Sequence, residues 1–246
     1  GDAARREVID TAKCSNCHEW FEGHGGNRVL GFGSINICTM CHNPNQSSRG
    51  RTVTDPTARG LDVALGDAIA AGHLSPSVNP SDPLTYPERT NNMKDLIHGI
   101  HASAVRTTDY EFVRSRLNGI YYNWHEVTFP AESSNCMLCH KEGTFGLPVP
   151  AESLVTTDRT TTGNPDEDQA AVAGARDTVP NETDVVISAQ SAACFSCHDS
   201  NDAISHMSLN GGAVRWTRAD FLAAPIGESC SVCHGEGRTY DVGVLH

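Results

Sequence analysis

The sequence predicts a mainly irregular chain with short α-helices and little β, wrapped around covalently attached prosthetic groups. Three observations predict it. All ten cysteines fall in five copies of one pattern, "CSNCH" (14–18), "CTMCH" (38–42), "CMLCH" (136–140), "CFSCH" (194–198) and "CSVCH" (230–234). Apolar residues make up only 38% of the 246 positions and aromatics 6%, which is thin for a chain of this length. Seven histidines lie outside the five motifs.

Each motif is Cys-x-x-Cys-His, the attachment pattern of a c-type haem. Two thiols about one helical turn apart can each form a thioether to a porphyrin vinyl group. The histidine that follows, four residues after the first cysteine, lies on the same face and reaches the iron. Disulfides and zinc ribbons use Cys-x-x-Cys without requiring histidine next. A redox dithiol needs only one such motif. Histidine fills 12 of 246 positions, so five chance occurrences in five motifs have a probability on the order of one in three million. The fold class is therefore a multihaem cytochrome c with five covalently bound haems attached through Cys14, Cys17, Cys38, Cys41, Cys136, Cys139, Cys194, Cys197, Cys230 and Cys233. Porphyrin faces acting as core would account for the low apolar content. Such haems are attached outside the bacterial cytoplasmic membrane, so the chain is expected to be exported, to the periplasm if no further.

The proximal iron ligands are His18, His42, His140, His198 and His234. An electron-transfer haem needs a second strong axial ligand, His or Met. Of four methionines, Met40 and Met137 sit inside haem loops, which makes bis-histidine ligation the economical reading.

Along the chain, the motifs group 2 + 1 + 2, in residues 11–50, 131–143 and 191–238, within a single pentahaem domain. His24 follows the first motif in "HGGNR", where paired glycines permit a tight turn. The proline-rich "SPSVNPSDPLTYPERT" (75–90) reads as an extended loop. It leads to "TNN", N-cap residues for an amphipathic helix over "NNMKDLIHGIHAS" (91–103). His98 and His101 lie three apart on one face of that helix, placed to cap two adjacent irons. A second helix is expected over "TDYEFVRSRLNG" (108–119), stopped by Asn-Gly. Residues 144–190 lack Cys and His and read as an exposed loop with a short helix near "DEDQAAVAGAR". Within it "GNPDEDQ" suggests calcium, but the glycine and distal glutamate of an EF-hand loop are missing. His206 follows the fourth motif and His246 ends the chain, while His73 and His125 are left out of the ligand set.

Net charge is −12 and the isoelectric point about 5.3, so the chain repels phosphate backbones and nucleic-acid binding is excluded. No run approaches the roughly 18 apolar residues of a transmembrane segment. "GDAARREVID" lacks a signal-peptide core, which fits a removed export signal or an excised piece of a longer chain.

The segments "CSNCHEWFEGHGGNR", "ICTMCHNPN", "MKDLIHGIHA", "FPAESSNCMLCHK" and "ESCSVCHGEGRTYDVGVLH" resemble the outer-membrane decahaem cytochromes of metal-reducing bacteria, the OmcA/MtrC family. The resemblance implies one pentahaem domain of that family, the C-terminal one. It implies distal ligands His24, His98, His101, His206 and His246. It implies a place at the cell surface, on the extracellular side of the outer membrane, with redox-partner cytochromes or outer-membrane conduit proteins. Its acceptors would be metal oxides such as ferric minerals, flavins or chelated metals.

The resulting function is electron conduction through closely spaced haems at low potential. The alternatives are a multihaem reductase of a small nitrogen or sulfur oxyanion, and a self-associating haem-wire subunit. A reductase needs an open axial site, sometimes with lysine replacing the motif histidine. All five motifs end in His, and the only lysines are Lys13, Lys94 and Lys141. Arg28 and Arg238 are candidate partners for haem propionates.

Overall fold

The computed structural model describes residues 6–19, 22–24, 36–160, 168–175, 178–224 and 227–246. In chain order the helices are α1 (Thr11–Cys14), α2 (Asn36–Thr39), α3 (Leu61–Ala70), α4 (Met93–His101), α5 (Gln169–Ala175), α6 (Ala189–Phe195), α7 (Asn201–Leu209), α8 (Arg218–Ala223), α9 (Ser231–His234) and α10 (Val242–Leu245). The strands are β1 (Glu111–Arg114), β2 (Ile120–Asn123), β3 (Thr156–Arg159), β4 (Val185–Ile187) and β5 (Val214–Thr217). The chain divides into two compact units. The first comprises Gly1–His42, Pro130–Ser153 and Ser229–His246; the second comprises Asn43–Phe129 and Leu154–Glu228.

In the second unit, β1 and β2 form an antiparallel hairpin with Phe112 opposite Tyr122 and Arg114 opposite Ile120. The helix expected over 108–119 is thus corrected to a hairpin. Its five-residue loop, Ser115–Gly119, ends in Asn-Gly, with Asn118 at φ 64° and Gly119 at φ 102°. Those two residue types enter positive φ most readily, and Asn-Gly between apolar runs is a hairpin signal before it is a helix stop. The hairpin packs on α3, which buries Leu61, Leu65 and Ala68 at helical spacing. With Val53, Leu74, Val78, Tyr86 and Val113 these form one apolar cluster. Complete burial of Leu65 contributes about 1.5–3 kcal/mol.

A second antiparallel sheet has the order β3-β4-β5, with Thr156 opposite Ile187 and Val186 opposite Trp216. Ile187 and Val214 from this sheet join Ala192 and Phe195 of α6 and Met207 of α7 in a second cluster. The carboxylate of Glu228 caps the start of α6, accepting from the Gln190 amide at 2.8 Å and the Ser191 amide at 2.6 Å.

These two sheets and two apolar clusters correct the expected fold class. The chain is not mainly irregular with little β wrapped around haems, because the second unit has a protein core of its own. Within the stretch 144–190, residues 155–160 and 184–190 contribute to that core instead of forming an exposed loop. Within it, "VTTD" and "DVVIS" are β-branched runs that favour strands, and Thr156, Thr157, Val185, Val186 and Ile187 are buried. Averaged over a segment rich in Thr, Asp, Glu and Pro, those short runs are invisible. The helix expected near "DEDQAAVAGAR" is α5.

The expected amphipathic helix is α4, starting after Asn92, which stands in extended conformation at the N-cap position. The Asn92 side chain does not cap. It donates instead to the Thr156 hydroxyl at 2.9 Å, tying α4 to β3. Gly99 sits where an added Cβ would lie 2.2 Å from the Tyr110 ring. The glycine between the two histidines is therefore a packing requirement.

Asp95, in the first turn of α4, is buried. Burial pushes its carboxyl up to about 7, against the opposing charge of Lys94 and the Thr156 hydrogen bond. An unfolded aspartate titrates near 3.9, so the folded state holds a proton that the unfolded state has released. The stabilisation is fully present below about pH 4 and is lost as pH rises to about 7. At about 1.4 kcal/mol per pKa unit the effect is on the order of 1–4 kcal/mol. Asp95→Asn should therefore gain stability relative to the parent protein as pH rises from 4 to 8. Denaturant titrations across that range check this, and parallel profiles for the two proteins would contradict it.

Candidate functional site

All five motifs fold into the same turn. The histidine amide donates to the carbonyl of the first cysteine at 2.9 Å in four motifs, His18 to Cys14, His42 to Cys38, His140 to Cys136 and His234 to Cys230. In the fourth, His198 to Cys194, the distance is 2.8 Å. This i to i+4 closure puts the first sulfur and the imidazole on one side of one turn. None of the ten cysteines is buried, so each thiol can be reached by a porphyrin edge. Partial burial pushes the thiols of Cys14, Cys38, Cys136 and Cys139 up. That is the opposite of an activated redox thiol.

In the first unit, the segment before motif one pairs with motif three. Ile9 bridges His140, the Asp10 amide donates to the Cys139 carbonyl at 3.0 Å and the Lys141 amide to the Val8 carbonyl at 3.0 Å. The Lys13 ammonium donates to the carbonyls of Met137 at 2.9 Å and His140 at 2.7 Å. The first and third attachment turns are therefore neighbours, although more than a hundred residues separate them. Burial, with the charges of Arg6 and Lys13, holds His140 below the ordinary histidine range. That direction favours the neutral imidazole, the form in which histidine binds a metal.

His24 and His42 face each other, Nε2 to Nε2, at 3.4 Å with their rings 12° from parallel. A metal bound by two imidazoles at roughly 2.0 Å each, the length seen with zinc, holds their nitrogens about 4 Å apart. The pair is thus close to the spacing that an iron between them requires. In the fifth motif, the His234 ring lies with Nδ1 3.0 Å from the Tyr240 carbonyl. The carbonyl can only accept, so Nδ1 carries the proton and Nε2 is left with the lone pair that a metal would use. The same logic applies in the second unit to His101, whose Nδ1 lies 3.1 Å from the Ile97 carbonyl. The His101 ring also meets Phe129 edge-on at 5.4 Å.

The fourth motif, in the second unit, is anchored by residues that sequence reasoning missed. Arg106, just after α4, donates to the carbonyls of Phe195 at 3.2 Å and Ser196, and pairs with Asp199 at 3.1 Å. Asp199, next to His198, also accepts from the Thr107 amide at 2.7 Å, the Thr108 amide at 3.0 Å and the Thr108 hydroxyl at 2.6 Å. Burial opposes its charge, but the Thr108 and Thr107 hydrogen bonds and the Arg106 charge outweigh that and hold the carboxyl below its usual range. Nothing in "CHDS" distinguishes this aspartate from a solvated one. A network of this kind fixes the turn that carries Cys194, Cys197 and His198.

The other candidates fall as follows. His206 is exposed in the last turn of α7, and His246 follows α10 at the chain end. Gly25, Gly26, Arg28 and most of the "GNPDEDQ" stretch lie outside the described residues. Both apolar clusters found among the described residues are in the second unit. In the first unit, Ile37, Met40, Met137, Val232, Tyr240, Val244 and Leu245 lie in or near the motifs and are 41–80% exposed. Apolar side chains arranged around accessible cysteines fit a porphyrin face lying over them.

No helix among the described residues is long and apolar enough to cross a membrane. No individual curated protein matches the chain. A family described as outer membrane cytochrome MtrC/MtrF-like, domains II/IV, matches residues 6–246. By that match, and with its repeated Cys-x-x-Cys-His turns, the chain belongs to the MtrC/MtrF-like outer membrane cytochromes and is a multihaem electron-transfer domain at the cell surface.

Proposed function

We propose that all five motifs carry haem c, that every iron is held by two imidazoles, and that electrons leave the chain for extracellular acceptors by outer-sphere transfer. The observation that carries this reading is the opposed pair His24 and His42, 3.4 Å apart between Nε2 atoms. When bound, haem supplies reversible one-electron chemistry. The chain's residues do the rest. The ten cysteines hold the porphyrins in fixed places, and His18, His42, His140, His198 and His234 present the proximal nitrogens. His24, His98, His101, His206 and His246 would supply the second histidine to each haem, with His24 and His42 holding the same one. Held by two histidines, each haem would supply electron transfer and leave no position for a substrate oxygen. Reduction of ferric minerals, flavins or chelated metals then needs only an exposed porphyrin edge, and the electrons arrive from partner cytochromes.

Mixing the chemically reduced, haem-loaded protein with a ferric chelate or oxidised flavin should reoxidise the whole haem absorbance, at a rate that cyanide leaves unchanged. Cyanide inhibition, or sustained consumption of nitrite or sulfite, would support the reductase instead.

A further inference from the structure

The two histidines left over from the haem ligands are brought together. His73 follows α3, Asp109 precedes β1 and His125 follows β2, so three distant stretches meet at the open end of the hairpin. One ligand atom from each of His73, Asp109 and His125 lies within 4.8 Å of the others, and all three residues are half-buried. The two imidazole rings stack with centroids 3.8 Å apart.

Their hydrogen bonds fix which ring nitrogens carry lone pairs. Asn123 donates from its amide nitrogen to Asp109 Oδ2 at 3.1 Å and to the Tyr121 hydroxyl at 3.1 Å. Its Oδ1 accepts from the His125 backbone amide at 2.8 Å, which sets the orientation of the side-chain amide. His125 Nδ1, 3.0 Å from the same Oδ1, must therefore be the donor. His73 Nδ1 lies 3.1 Å from Asp109 Oδ2, and an ionised carboxylate only accepts. The His73 Nδ1 proton therefore lies between that nitrogen and Asp109 Oδ2, where an ion bridging the two atoms would displace it, while His125 keeps its lone pair on Nε2. For His125, the amide oxygen holding Nδ1–H is the kind of contact that orients a histidine as a metal ligand. His125 Nε2 also has a carboxylate near it, Glu126 Oε1 at 3.9 Å.

We propose that His73, Asp109 and His125 form a binding site for one divalent first-row transition-metal ion, separate from the haems, with a solvent-facing fourth position. Two imidazoles and one carboxylate are the donor set of zinc-class ions. Calcium and magnesium take oxygen ligands and are not expected to bind. Metal–ligand bonds of about 2.0–2.2 Å require donors roughly 3.3 Å apart, so binding draws three half-exposed side chains together by small rotations. A bound ion would pin the end of α3 to both strands of the hairpin.

Equilibrium dialysis of the haem-loaded protein against Zn2+, with metal analysis and isothermal titration, tests the site. Other surface histidines can take up zinc, so the reading is the difference between proteins. His73→Ala, His125→Ala and Asp109→Asn should each lose one equivalent or weaken one site by at least about tenfold. An unchanged haem spectrum would show that the fold and the axial ligands are intact in the variants. Parent and variants binding Zn2+ with equal stoichiometry and affinity would overturn the proposal. So would calcium occupying the site as well as zinc, or a parent protein that binds no zinc.

Discussion

Arg106→Met is expected to lower the unfolding free energy by about 3–5 kcal/mol, the cost of leaving a buried charge without its partner. The Arg106 and Asp199 side chains are 1% and 2% exposed. Removing the guanidinium strands the Asp199 carboxylate and releases the Phe195 and Ser196 carbonyls at the end of α6. Asp199→Asn should cost less, because the amide oxygen, placed at the Oδ2 position, still accepts from the Thr108 amide and hydroxyl, although Nδ2 then faces the Thr107 amide donor. Replacing both partners with apolar residues should recover part of the loss, since neither charge is then buried alone. Because these bonds hold the turn of the fourth motif, the single variant should also broaden or shift the signal of one haem. Chemical denaturation followed by circular dichroism, together with the haem spectrum, measures both effects. A destabilisation below about 1 kcal/mol, typical of a surface pair, would show that the network is not the anchor described.

The second large effect concerns His24. Its Nε2 faces that of His42, the histidine of the Cys38/Cys41 motif. His24→Ala should therefore convert one haem from low to high spin, open that iron to carbon monoxide and cyanide, and leave the others unaltered. Added imidazole should restore the low-spin spectrum by filling the vacated position. A variant spectrum identical to the parent's would remove His24 from the ligand set. A change localised to another motif would reassign its iron.

How much of this was legible in the sequence varies from element to element. The turns of the five motifs were, because Cys-x-x-Cys-His is a local pattern closed by one backbone hydrogen bond. Helix α4 was also legible, from its periodicity and the polar run before it. The hairpin was misread because "EFVRSRLNG" is short, carries charges at both periods, and ends in Asn-Gly, which serves either as a helix stop or as a turn. Strands β3 and β4 were hidden because each is only three or four residues of β-branched sequence inside a polar segment. Three features were beyond reach. The pairing of His24 with His42, the adjacency of the first and third motifs, and the clamp of Arg106 on Asp199 all depend on tertiary contacts that spacing does not encode. His73 and His125 are the reverse case. The ligand count set them aside as a remainder and gave no hint that they meet.

The most direct test is low-temperature electron paramagnetic resonance with magnetic circular dichroism on the fully oxidised protein, calibrated by its haem content. The account predicts five haems per chain, all low-spin with two imidazole ligands, and no high-spin signal. One iron with a water-bound or open sixth position would contradict it.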